Sequence, residues 1–135
     1  MAIQLSVDVR DDRLDAIEAA IGTSAKLKIW SGAPPADCSE ADSGTELAHM
    51  DLESDWMAAA AAGAKAKLGT WQETSATAAG TAGHFRIYDS GLAACHIQGT
   101  VTGIAGGGDM ELDNVVIAEL QQVTITTFTL TDANA

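Results

Sequence analysis

Beyond Gly22 the apolar residues of this chain recur at every second position, in short runs separated by Gly, Ser, Asp and Pro. Successive side chains of a β-strand point to opposite faces, so a period of two confines most of the chain to a β architecture. Lys26 to Trp30 places Leu27 and Ile29 on one side and Lys26, Lys28 and Trp30 on the other, before Ser31-Gly32-Ala33-Pro34-Pro35 ends the run. Ala36 to Gly44, rich in Asp, Ser and Glu, reads as a solvated connection. Thr45 to Leu52 resumes the alternation, with Leu47, His49 and Asp51 opposing Ala48, Met50 and Leu52.

The second half is more strongly patterned. Phe85 and Ile87 share a face opposite His84, Arg86 and Tyr88, and Asp89-Ser90-Gly91 follows as a turn. Cys95 to Val101 answers as the return strand of a hairpin. Gly103 to Gly108 reads as a flexible link, and Asp109 to Asp113 as a strand with one wet face. In Gln122 to Thr131, Val123 and Ile125 lie on one face but Phe128 and Leu130 on the other, a phase slip that demands a bulge or burial on both sides.

Two segments depart from this period. From Asp8 to Ile21, Leu14, Ile17 and Ile21 recur at helical spacing, Ser6 or Asp8 can cap the start, and Gly22 can close the end. Residues 57 to 66, rich in Ala, read equally as a helical turn or as an irregular loop, and Thr74 to Gly83 reads as a loop. One front helix and about seven short strands describe a mainly β chain. The expected form is a β-sandwich or jelly-roll-like single domain over residues 1–135, with 1–24 as N-terminal arm and helix and 25–135 as the sandwich.

Charge narrows the partners. Seven Lys and Arg against nineteen Asp and Glu leave −12, which repels nucleic acid and anionic membrane surfaces. No apolar run approaches the roughly 20 residues that span a bilayer. Aromatics make up only 4% of the chain, so the core must rest on aliphatic side chains, and support from neighbouring subunits is expected. The pairs Lys26/Lys28 and Lys65/Lys67 read first as solubilising edge lysines, and second as contacts for an acidic partner.

Catalytic constellations do not assemble. Cys95 and His96 are adjacent, and neighbours on a strand face opposite ways, which argues against a thiolate–imidazolium pair. His84 and His96 could meet across the hairpin but would lack a third metal ligand. Asp109, Glu111 and Asp113 resemble a calcium loop only superficially, since Asn114 and Leu120 occupy the places where Gly and Glu are needed. Gly106-Gly107-Gly108 precedes no helix start, so a phosphate cradle is rejected. Cys38 and Cys95 have no zinc spacing and read first as reduced thiols, with a single disulfide as the alternative. No enzyme activity, metal or cofactor is expected.

Several stretches look familiar: Arg13 to Glu18 with Ile21 to Ala25, then Ser54-Asp55-Trp56-Met57, Gly83 to Ile87, Cys95 to Val101 and Val123 to Thr131. In that order they resemble small virion proteins of tailed bacteriophages, and the resemblance spans nearly the whole chain. It implies a structural component of a particle, most simply a capsid decoration or cement protein that binds the major capsid protein and copies of itself in the virion. Leu14, Ile17 and Ile21 are candidates for helix-mediated association, and Trp30, Trp56 and Trp71 for interface anchors, each of the six being read first as core and second as interface. A tail or baseplate component is the alternative within the virion. A carbohydrate-binding β-sandwich with exposed Trp or Tyr platforms is the alternative outside it.

Overall fold

In the computed structural model, which describes residues 2–133, the chain is mainly β with one short N-terminal helix and a curled mixed sheet. Met1, Asn134 and Ala135, the ends of the expected 1–135 domain, lie outside the described residues. Helix α1 spans Val7–Ile21, and the strands are β1 Lys26–Ser31, β2 Glu46–Asp51, β3 Ala64–Ala66, β4 Gln72–Glu73, β5 Gly80–Tyr88, β6 Cys95–Gly103, β7 Met110–Leu112, β8 Val116–Ile117 and β9 Val123–Thr131. Their order is β2-β1-β5-β6-β7-β9-β3, with β4 also on β9 and β8 also on β5. Among the described residues no helix is long and apolar enough to cross a membrane.

The helix starts where its cap is. The Ser6 hydroxyl accepts from the Val9 N–H at 3.3 Å, and the Gly22 N–H returns to the Glu18 carbonyl at 2.8 Å. Leu14 and Ile21 are buried against the chain's own body, and Ile17 packs against the core. A fixed salt cluster secures the outer side: Lys65, 2% exposed, reaches Asp15 at 2.7 Å, Glu18 at 2.8 Å and the Ala58 carbonyl at 2.9 Å. Lys65 is thus a buried strut, contrary to its expected edge role, whereas Lys26 and Lys28 pair with Asp51 and Glu46 at the surface of β2.

The core is built on Leu27, Ile29, Leu47, Met50, Phe85, Ile87, Met110, Leu112, Val123, Ile125 and Phe128. An aromatic chain crosses it: Trp56 to Trp71 at 6.0 Å, Trp71 to Phe128 at 5.6 Å, and Phe128 edge-on to Phe85 at 5.3 Å. Both indoles are satisfied, Trp56 by the Gly22 carbonyl and Trp71 by that of Leu68. The expected phase slip in β9 is a bulge. Thr127 pairs with Glu111 and Ile125 with Leu112, so Thr126 is an extra residue, which lets Ile125 and Phe128 both point inward.

Other expectations give way to tertiary packing. The Ala-rich run is no helix: bridges join Met57 to Lys67 and Ala61 to Ala64, and Ala64–Ala66 pairs with β9. The supposed loop from Thr74 to Gly83 already contains the start of β5, paired with β8 at Gly80 and Thr81. The run at Gly106 to Gly108 is compact. A Cβ at Gly106 or Gly108 would press into the Thr102 side chain, and this close approach turns the chain sharply enough to lay β7 parallel to β6.

Candidate functional site

The most organised feature on the outer sheet face is the connection from β1 to β2. Its neck is closed by the Ser31 N–H to the Thr45 carbonyl at 3.0 Å and the Thr45 N–H to the Ser31 hydroxyl at 2.9 Å. A loop whose ends meet and whose body packs on itself is an Ω-loop, a class often given to function. It lies across β5 and β6, and Gly83 makes room for it: a Cβ there would run into the Gly32 backbone.

Arg86 holds the loop down. It sits on the polar side of the β5 alternation, yet it is only 1% exposed. Its Nη2 donates to the carbonyls of Cys38 at 2.9 Å and Glu40 at 3.0 Å, its Nη1 to the Asp42 carboxylate, and its Nε to the Cys95 sulfur at 3.2 Å. The Tyr88 hydroxyl donates to the same Asp42 oxygen at 2.6 Å, Gln98 Nε2 to the Pro35 carbonyl at 2.7 Å, and His84 Nδ1 lies 2.8 Å from the Gly32 carbonyl. A guanidinium with its donors fixed in a plane is suited to gathering two carbonyls and a carboxylate at once.

Titration follows from this packing. Burial, reinforced by the Asp42 carboxylate, raises the Tyr88 phenol well above its ordinary range. Burial and the neighbouring Cys38 thiol push Cys95 up to about 11, with Arg86 opposing. Cys95 is therefore a neutral thiol near pH 7, unlike an activated nucleophile. Both cysteines are free, as the first reading of the sequence has it. At the next turn Asp89 accepts from the N–H groups of Gly91, Ala93 and Ala94, and the Ala93 bond leads in holding its carboxyl below the usual range.

The residues singled out in the sequence are distributed otherwise. Leu14, Ile21, Trp30, Trp56 and Trp71 are buried within the chain itself, and Ile17 is half-buried against the same core. They serve the chain's own core, the first of the two roles read for them in the sequence. Tyr88 is buried too, so no Trp or Tyr among the described residues offers a free ring face to a sugar, and the carbohydrate platform is set aside. His84 pairs with Thr100 instead of His96, because the hairpin register sets Ile87 opposite Ile97. His96 lies beside Asp89 at 3.4 Å.

The three alternating acids do not converge. Asp109 accepts from the Thr100 N–H and hydroxyl, Glu111 from the Thr127 hydroxyl, and Asp113 from the N–H groups of Asn114 and Thr124. Among the described residues no group of three His, Cys, Asp or Glu side chains is placed to hold a metal ion. The sequence reading missed Arg86, whose signal was a lone cation on the polar side of a strand next to a loop rich in carbonyls and acids. No known protein family, curated protein or solved structure matches the chain.

Proposed function

We propose that this chain is a structural protein of a tailed-phage virion, a capsid decoration or cement protein that binds across joints between major capsid protein subunits. The observation that carries the reading is how its buried ions are used. Arg86 fastens the Ω-loop to the sheet and Lys65 fastens the helix, so the side chains best suited to chemistry brace a rigid display surface instead. What that frame presents is acid, with Asp37, Glu40 and Asp42 on the loop, and scattered apolar tips at Leu92, Ile104, Val116 and Leu120. A strongly acidic coat avoids the packaged genome and membranes, and contacts partner surfaces through such tips.

The curled sheet is read here as a small jelly-roll-like sandwich, repeated over the particle. Each copy that binds the closed shell but not the opened one stabilises the closed state by linkage, without turnover or cofactor. Deleting the gene and heating the resulting particles tests it: shells lacking the protein should open at lower temperature or at lower salt, and added protein should restore them. Unchanged survival, or electron-microscopic labelling of the tail alone, overturns the capsid role.

A further inference from the structure

The two cysteines lie far apart in the sequence and together in the fold. In β6 the register passes from Ile97 opposite Ile87 to Cys95 opposite Tyr88, so His96 is an extra residue. By plain alternation Cys95 would share the inward face of Ile97, which packs against the core. The bulge turns it over instead, to the outer face beside Arg86 and Tyr88. Cys38 comes to the same place from the Ω-loop.

One edge of the Arg86 guanidinium holds both residues. Its Nε donates to the Cys95 sulfur at 3.2 Å and its Nη2 to the Cys38 carbonyl at 2.9 Å. Those nitrogens are neighbours in a rigid plane, so the Cys38 backbone is set next to the Cys95 sulfur. The Cys38 thiol completes the arrangement by a hydrogen-bond contact with Cys95. Both thiols line one cavity of about 570 Å³ and both are half-exposed, so a small reagent can reach them.

We infer that Cys38 and Cys95 form a thiol–disulfide site that latches the Ω-loop to β6, open when reduced and closed by exchange with a low-molecular-weight disulfide. In the first step the Cys38 thiolate attacks one sulfur of the small disulfide. A new S–S bond forms on Cys38, the old one breaks, and one thiolate leaves. Cys95 then gives up its proton and attacks the Cys38 sulfur, which forms the Cys38–Cys95 bond and releases the second thiolate. Two protein thiols are oxidised, one small disulfide is reduced, and the protons given up by Cys38 and Cys95 end on the two released thiols.

The surroundings set this order. Burial and the neighbouring Cys38 thiol keep Cys95 protonated in the reduced chain. Once Cys38 carries the mixed disulfide it is no longer a thiol, whereas Arg86 stays in place to favour the Cys95 thiolate. The reduced thiols and the single disulfide read from the sequence are then two states of one site. The inference goes beyond the virion reading and holds for the protein in or out of a particle.

The test uses the purified full chain, reduced, freed of reductant and equilibrated without oxygen against mixtures of oxidised and reduced glutathione. With the oxidised form in excess, both thiols should be lost to alkylation together and the mass should fall by that of two hydrogens. Peptide mapping should join the fragments carrying Cys38 and Cys95 within single chains. Because a cross-link over a long loop restricts the unfolded chain, the midpoint of thermal unfolding should rise by at least about 5 °C, and a dithiol reductant should reverse the change. Cys38→Ser, altered only on the loop, should show no such rise in any mixture. Two free thiols in excess oxidised glutathione, an adduct that persists on Cys38 beside a free Cys95, or a disulfide joining two chains overturns the latch. So does an intramolecular bond that fails to raise the midpoint, or an equal rise in Cys38→Ser.

Discussion

Replacing Arg86 by Met removes the clamp while keeping much of the side-chain volume, and its size of effect can be worked from the contacts. Hydrogen bonds to a charged group contribute a net of about 1.5–3 kcal/mol each. They do not add here, because the Cys38 and Glu40 carbonyls and the Asp42 carboxylate belong to one exposed loop that regains water once it lifts. Breaking a buried pair by removing one partner costs about 3–5 kcal/mol, and that range applies to the whole set. For a domain of this size, at about 3–5 °C per kcal/mol, the midpoint of thermal unfolding should fall by roughly 10–20 °C. Loop release should precede global unfolding, so a Glu-specific protease should cut after Glu40 in Arg86→Met under native conditions and spare the parent chain. Arg86→Lys, with its single cationic nitrogen, should recover only part of both effects. An Arg86→Met protein within about 1 kcal/mol of the parent, with Glu40 still protected, would show that the loop is held by something other than the guanidinium.

Three further outcomes are expected. Lys65→Ala leaves Asp15 and Glu18 facing each other without their shared cation, and should destabilise by about 2–4 kcal/mol in urea melts, with the helix signal lost first. Cys95 has a folded pKa of about 11, above its ordinary 9.0, so its contribution is fully present below pH 9 and is lost as pH rises towards 11. Discounted for the half-exposed thiol, that loss is about 1 kcal/mol. Its alkylation at pH 8 should run about 100-fold slower than that of an unperturbed thiol, and equal rates would contradict the packing. Deleting Thr126 should preserve the fold at a cost of about 1–2 kcal/mol, because without the bulge residue Val123, Ile125 and Phe128 fall on one face by simple alternation; a circular dichroism spectrum without the native strand signal would count against this.

What the sequence revealed was local. Ser6 and Gly22 bracket the helix, Leu27 and Ile29 alternate into the core, and the phase slip between Ile125 and Phe128 marks its bulge, because each signal lies within a few residues of its effect. The Ala-rich segment misled because its conformation is set by distant partners: the Gly63 N–H bonds to Asp11, Lys65 reaches Asp15 and Glu18, and Ala64–Ala66 adds to β9. The parallel placement of β7 was illegible for the same reason, since alternation gives a strand its faces but not its neighbour. Trp30, Trp56 and Trp71 suggested anchors because large aromatic side chains suit interfaces and cores alike, and in an aromatic-poor chain the core claims them. The Ω-loop read as mere solvated connection because its composition is polar. Only the packed geometry sets Arg86 beneath it.

The closed neck at Ser31 and Thr45 separates the length of the Ω-loop from the register of the sheet. Closure entropy grows slowly, by about 0.6 kcal/mol for each doubling of a flexible loop. Ala41, exposed between the residues that Arg86 grips, is therefore a natural splice point for foreign peptide, and a chain of this kind could carry a graft outward while the strands beneath it keep their pairing.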